Sequence, residues 1–227
     1  MNHSSPLYID ILFLLTLACT VMMLYKAARR SSAVLLTMLI WLCLQSALAL
    51  LNFYTVTDTF PPRFVLLVLP PLLFMIFLFA TDRGRRFIDS MDVQTLTYLH
   101  TIRIPVEIIL LLLSFYHFVP QLMTWEGKNF DILSGISAPV VAYLGFTKKI
   151  LSKKLILAWN IICLLLLFNV VFHGILSAPS PFQKFSFENP NQLPLYFPFM
   201  LLPAFIVPVV LFSHLASIRI LLYGRPK

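Results

Sequence analysis

The sequence contains few charged residues. Only 11% of its 227 residues are charged, and acidic residues are fewer than basic ones, nine against 17. Cysteine is also scarce, because the chain has only Cys19, Cys43 and Cys163, which fall in apolar runs and lack the spacing of metal ligands. The sequence therefore predicts neither a disulfide framework nor a sizeable soluble domain.

The motifs of common soluble enzymes are missing as well. The chain has no G-x-S-x-G motif, no P-loop and no dinucleotide-binding glycine pattern. We therefore predict no cofactor, and we expect the protein not to be an enzyme, although an enzymatic activity stays open as an alternative.

Apolar residues take the place of these features. They make up 59% of the chain, and the mean hydropathy is +0.89. A helix of about 20 apolar residues crosses the hydrocarbon core of a bilayer. We predict an all-α integral membrane protein, with residues 1–227 forming one domain of seven transmembrane helices, spans 1 to 7. Their predicted ranges are 7–25, 34–54, 63–81, 99–118, 131–147, 155–177 and 199–221.

Lysine and arginine lie mostly on one side of the predicted spans. Thirteen of them follow spans 1, 3, 5 and 7, whereas three lie in the other loops and Arg103 lies within span 4. The positive-inside rule then predicts an outside N-terminus and a cytoplasmic C-terminus. The excess of positive charge indicates a lipid bilayer rather than nucleic acid as the partner. The thirteen residues are Lys26, Arg29, Arg30, Arg83, Arg85, Arg86, Lys148, Lys149, Lys153, Lys154, Arg219, Arg225 and Lys227.

Two parts of the chain resemble each other. "DILFLLTLAC" at 10–19 and "DILSGISAPV" at 131–140 both open a span with Asp-Ile-Leu, and each span is followed by a basic loop and a tryptophan-containing span. Spans 3 and 7 share "PPLLF" and "PVVLF", and the pairs Gly84-Arg85 and Gly224-Arg225 follow them. The pattern indicates a parallel repeat, a common plan among transporters.

The repeat units would cover residues 7–86 and 131–225, with the helix 99–118 as a linker between them. This three-plus-one-plus-three plan resembles, in topology only, the sugar transporters and PQ-loop carriers, and also the opsins. The single Pro120-Gln121 pair lies outside the spans, unlike the pairs of PQ-loop carriers, and span 7 has no lysine for retinal. The likeness therefore implies topology alone.

A second resemblance covers most of the C-terminal half. The stretches "LAWNIICLLLLFN" and "YFPFMLLPAFIVPVVLFSHLASIRILL" are similar to an uncharacterised group of bacterial seven-span proteins. The resemblance implies the seven-span topology and a multi-pass protein of the bacterial inner (plasma) membrane. It implies no activity.

Span 4 has a polar stripe in its apolar sequence. At 100° per residue, His100, Arg103, Glu107 and His117 lie on one side of the helix. Counting from residue 99, Arg103 lies near the cytoplasmic end, where it can snorkel and pair with Glu107, and Glu107 lies near the midplane. One interpretation is a structural ion pair. The other is that Glu107 faces a polar cavity.

The second interpretation predicts a site that binds or transports a small polar solute or ion around span 4. Polar side chains at similar depth in other spans complete it. The predicted substrate or ion-binding residues are Glu107, Arg103, His100, Gln45, Asn160 and His214. Span 5 supports it with "SGISAP", a small-residue, proline-broken stretch of the kind that lines carrier sites or packs helices closely.

Other ionisable residues lie near the outer ends of the spans. Weak candidates for a metal site there are His117, His173, Asp131 and Asp10, although Asp131 also suits the N-cap of span 5. A metal site would make the protein an intramembrane enzyme, and a polar stripe used only for packing would suit a non-catalytic sensor or assembly subunit. The loop 177–194 is expected to fold back as an outer cap.

Overall fold

The computed structural model describes residues 5–223, and this part of the chain is helical without strands. Arg225, Lys227 and the Gly224-Arg225 pair, which entered the predicted orientation and repeat, lie outside the described residues. The described part contains nine α-helices: α1 Leu7–Ala27, α2 Ser32–Leu50, α3 Val65–Ala80, α4 Asp82–Ser90, α5 Val93–Leu99, α6 Arg103–Phe115, α7 Ile132–Ala142, α8 Lys153–Ser177 and α9 Val207–Tyr223.

Short irregular turns join some of these helices into longer rods. The 3-10 turn His100–Ile102 joins α5 and α6 into one rod, Val93–Phe115. A π turn, Tyr143–Thr147, extends α7, and another, Leu202–Ile206, precedes α9. Span 4 therefore begins at Val93 rather than at the predicted residue 99.

Within residues 5–223, five helices are long and apolar enough to cross a membrane, namely α1, α2, the rod Val93–Phe115, α8 and Leu202–Tyr223. The count is six if α3 and α4, which are bent by 94° at their junction, form one broken span. Ile132–Thr147 is apolar but belongs to the shorter helices of 10–17 residues. The helices thus indicate a polytopic membrane protein with five to six spans of sufficient length, fewer than the seven predicted from apolar runs.

The junction between α3 and α4 has a local cause. Thr81 leaves the helical conformation, and its side-chain oxygen accepts a hydrogen bond from the Gly84 amide at 3.2 Å, which caps α4. A Cβ on Gly84 would lie 2.2 Å from the carbonyl oxygen of Leu78. Glycine therefore lets α4 fold back tightly against the end of α3.

The outer faces of the helices are apolar. Leu15 in α1, Ile40 in α2 and Leu165 in α8 expose 60%, 59% and 62% of their surfaces. Exposed apolar surface of this extent is unusual for a soluble protein and suits contact with lipid. The bundle therefore exposes many apolar side chains, whereas polar ones such as Gln45, Arg103 and Glu107 are buried.

The rod Val93–Phe115 lies at the centre of the bundle. It packs against α1, α7 and α9, while α8 packs on α9 and α3 packs mainly on α9 and the turn before it. Span 4, which the repeat interpretation treats as a linker, is therefore the core helix. We call the two ends of the bundle outer and inner, following the orientation predicted from the basic residues.

Candidate functional site

Arg103 lies near the middle of the central rod. It follows Val93 by ten residues, or about 15 Å at the rise of an α-helix, and only 2% of its surface is exposed. The prediction that Arg103 lies near the inner end of span 4 and snorkels is wrong, because the helix begins earlier than its apolar run. A guanidinium at this depth needs a partner inside the protein.

Asp131 is that partner. Its Oδ2 atom lies 2.9 Å from Nε of Arg103, and both side chains are buried. Asp131 occupies the N-cap position of α7 as predicted, but its side chain makes no capping hydrogen bond. The prediction that Arg103 pairs with Glu107 is therefore replaced by a pair between spans 4 and 5.

Gly135 explains how the two spans approach so closely. A Cβ at this position would lie 2.9 Å from Cγ1 of Ile104, 3.0 Å from the Ile104 amide nitrogen and 3.2 Å from Cβ of Arg103. Ser134 and Ala138 beside it are also buried. The small residues of "SGISAP" therefore pack α7 against α6, and this packing brings Asp131 to Arg103.

Glu107 lies one helical turn beyond Arg103 and is bound by a different residue. Nδ2 of Asn129 lies 2.7 Å and 2.8 Å from the two carboxylate oxygens of Glu107. Oδ1 of Asn129 accepts a hydrogen bond from the Asp131 amide at 2.9 Å. One asparagine thus links Glu107 to the segment that carries Asp131.

Two histidines complete the buried cluster on the inner side of Arg103. The rings of His100 and His214 stack with centroids 3.7 Å apart. Asn160 donates through Nδ2 to the Ile156 carbonyl at 2.9 Å, so its Oδ1, 3.0 Å from Nδ1 of His214, acts as an acceptor. Nδ1 of His214 then carries the proton, and Nε2 can accept from Nη1 of Arg103 at 3.3 Å.

The structure therefore brings together five of the six residues predicted to bind a substrate or ion. Gln45 is the exception, because it lies in α2, where its Oε1 accepts a hydrogen bond from the hydroxyl of Tyr54. Gln45 is buried against Tyr54 in the outer half of α2, and it does not contact Arg103.

The predicted outer metal ligands are dispersed. Asp131 pairs with Arg103, Nδ1 of His173 lies 2.8 Å from its own helix's Asn169 carbonyl, and Asp10 accepts from the Ser5 hydroxyl at 2.5 Å. Within residues 5–223, no group of three or more His, Cys, Asp or Glu side chains is arranged to hold a metal ion.

A cavity of about 110 Å³ adjoins the cluster. Arg103, Glu107 and Asp131 lie on its wall, and the rest is mainly apolar side chains from α3, α6, α8 and the last span. Asn191 and Leu193 close it from the loop that follows α8, the loop predicted to be an outer cap. Oδ1 of Asp131 is buried without a hydrogen-bond partner among the described residues.

A sequence profile connects this site to a family. The profile of a domain of unknown function, DUF8737, matches residues 59–222. The chain belongs to the DUF8737 family. The DUF8737 match begins after α2, so it excludes Gln45 and includes Arg103, Glu107, Asp131 and His214 with the whole cavity. No curated protein and no solved structure matches the chain.

Asn129 is the residue of this DUF8737 site that the sequence did not reveal. It lies in the connection before α7, a position normally exposed, yet it is only 1% exposed, and Thr124 nearby is fully buried. The only signal is its place in "NFD", next to the aspartate that opens span 5. That signal is too common to identify a carboxylate partner 22 residues away.

Proposed function

We propose that the protein binds a small organic cation, an amine with an apolar body, in the cavity beside Arg103, Glu107 and Asp131. The observation that carries this proposal is the charge of the wall. Two carboxylates and one guanidinium border the cavity, so the wall has one net negative charge when all three groups are ionised. An isolated charge at membrane depth is costly.

An ammonium group would remove this imbalance. It has donors for the unpartnered Oδ1 of Asp131 and for the carboxylate of Glu107, both on the cavity wall. The remaining wall favours an apolar body, and a cavity of about 110 Å³, smaller than the roughly 150 Å³ that holds benzene, limits that body to a small one. Benzylamine matches the wall in its positive charge and its apolar ring.

Three further features are proposed with this function. The protein crosses the membrane seven times, with α3, which packs on the last span, and the short α7 helix, which packs on the central rod and on α8, both counted as spans. Its N-terminus is outside, as the basic loops favour. Its location is the inner membrane of a bacterium, which the resemblance of spans 6 and 7 favours.

Binding can be tested with purified protein in detergent. Benzylamine is expected to raise the melting temperature, and calorimetry should then give its affinity. Benzyl alcohol and benzoate, which share the ring but lack the positive charge, are expected to have no effect. Equal stabilisation by all three compounds would show that the ring alone is recognised and would contradict the proposal.

Substitution of a carboxylate on the cavity wall tests whether the amine binds in that cavity. Glu107→Gln removes a carboxylate with little change in shape, so it should weaken benzylamine binding about tenfold or more, which corresponds to about 1.4 kcal/mol. Glu126→Gln is the matched control, because Glu126 is an exposed outer carboxylate that accepts a hydrogen bond from the side chain of exposed Gln121. An equal loss of affinity in both variants would mean that the amine binds elsewhere.

Whether the bound amine is also transported needs a separate test. Uptake of radiolabelled benzylamine into proteoliposomes, above that of protein-free vesicles, would make the protein a carrier. Binding without uptake would indicate a sensor or an assembly subunit that recognises the amine.

A further inference from the structure

A second cavity lies between α2 and α3 on the inner side of the bundle. It measures about 550 Å³, within the range of ligand-binding pockets. No charged side chain of the described residues lines it. Its walls include Val34, Met38, Trp41, Phe74, Phe87 and Phe205. We call it the inner groove.

A hydrogen bond links two elements that line the inner groove. Pro208 has no N–H group, so the carbonyl of Ala204, four residues earlier, lacks its helical donor. Nε1 of Trp41 donates to that carbonyl at 2.8 Å. This hydrogen bond ties α2 to the last span, while α3 packs on α9 and, more closely, on the turn Leu202–Ile206 before it. The groove is therefore part of the fold, and its apolar opening lies where lipid chains would be.

Three exposed arginines lie close in the chain to residues that line this groove. Phe87 on α4 lines the groove. Arg83, four residues earlier, lies on the same side of α4 as Phe87, and Arg86, three residues after Arg83, is its neighbour on the helix surface. Arg30 precedes the groove-lining Ala33 by three residues. Arg30, Arg83 and Arg86 are exposed, and none of them forms an ion pair within residues 5–223.

We propose that the inner groove binds an acyl chain of an anionic phospholipid of the inner leaflet, with Arg83 and Arg86 holding its phosphate. The apolar walls match the chain, and guanidinium groups match phosphate oxygens in charge and geometry. Clustered arginines at the inner surface attract anionic lipid. This site is independent of the amine cavity, which has different walls and lies towards the outer side.

Native mass spectrometry of the full chain in mild detergent tests the proposal. Phosphatidylglycerol and phosphatidylcholine with identical chains are compared, because the choline group cancels the phosphate charge. We expect about tenfold stronger retention of phosphatidylglycerol, given two arginines near the headgroup. Glycerol phosphate, which has the headgroup without the chain, should not displace it. Equal retention of the two lipids, or displacement by glycerol phosphate, would overturn the proposal.

Three variants separate charge from shape. The double variant Arg83→Gln/Arg86→Gln should lower retention of phosphatidylglycerol to that of phosphatidylcholine. Lys148→Gln/Lys149→Gln, in another inner loop, is the matched control and should keep the preference. Ala33→Phe places a ring in the groove and should reduce retention of both lipids. Loss of the preference in the lysine control would show a general charge effect and would refute the site.

A photoreactive phosphatidylglycerol gives a readout that does not depend on the variants. With the reactive group in the middle of the chain, adducts are expected on α2, α3 and the last span at groove-lining positions such as Thr37 and Phe74. Adducts confined to the outward faces of α1 and α8 would place the lipid elsewhere and contradict the proposal.

Discussion

At the scale of single residues, the ion pair between Arg103 and Asp131 dominates the site. Both groups are buried in the middle of the bundle, and their nearest charged atoms are 2.9 Å apart. Such a pair contributes little net stability compared with apolar residues, but the loss of one partner leaves the other charge uncompensated.

We expect Arg103→Gln to lower the free energy of unfolding by about 3–5 kcal/mol, because Asp131 then stays buried without a cation. Adding Asp131→Asn should restore much of that loss. Melting temperatures of the two single variants and the double variant in detergent measure the coupling. Simple additivity of the two losses would show that the pair does not act as a unit.

The pair of Arg219 and Asp89 is the control for this cycle. It is also 2.9 Å long, but its side chains are 20% and 35% exposed. Exposed ion pairs contribute about 0–1 kcal/mol, so Arg219→Gln should change the melting temperature little. A large loss in this variant would mean that burial does not decide the cost.

Asn129 gives the second prediction at this scale. Asn129→Ala removes the amide that contacts both oxygens of Glu107, and it should destabilise the protein by about 1–3 kcal/mol, because a buried acceptor loses its donor. Asn169→Ala is the control, since the Asn169 side chain donates to the Lys128 carbonyl at an exposed position and has no other partner within residues 5–223. Comparable melting temperatures for the two variants would refute a special role for Asn129.

At the scale of helices, the approach of α7 to α6 places Asp131. We expect Gly135→Ala to destabilise the protein by about 1–3 kcal/mol, since its methyl group would push against the Ile104 backbone nitrogen at 3.0 Å. Gly145→Ala should cost less, because its methyl group meets only side-chain atoms of Ile156, the nearest at 2.8 Å. Thermal unfolding of both variants decides, and equal losses would contradict the backbone contact.

The internal repeat is also a question of helices. The sequence predicts that spans 1 to 3 superpose on spans 5 to 7. Unequal packing is already visible, because α8 packs closely on α9 whereas the corresponding helices α2 and α3 do not pack closely on each other. The repeat stays a prediction, and an experimental structure whose best internal superposition pairs other helices would exclude it.

At the scale of the whole molecule, the basic loops predict the orientation. Single cysteines replacing Lys26, Arg85 or Lys149, in a chain without its three native cysteines, should resist a membrane-impermeant thiol reagent in intact cells. Lys184→Cys, in the loop predicted to be outer, should react. Labelling at any of the first three positions would reverse or break the proposed topology.

The sequence by itself determined that this is an all-helical membrane protein, and it located most of the long apolar helices. Backbone groups in lipid must be hydrogen-bonded within their own segment, so each long apolar run becomes a helix whatever its neighbours are. The 100° periodicity also placed Arg103 and Glu107 on one side of span 4. The ends of the helices were harder to predict than their centres. The first turns of the rod, from Val93, contain polar residues and resemble a loop in sequence.

Only the tertiary structure decided which residues meet. Asp131 and Asn129 reach Arg103 and Glu107 because Gly135 lets two helices touch, and no local pattern encodes that contact. Gln45 resembled the other buried polar residues in sequence but faces Tyr54 instead. A helix fixes the direction of a side chain through its own period, whereas the partner depends on how separate helices pack, which is set by the shapes of many residues together.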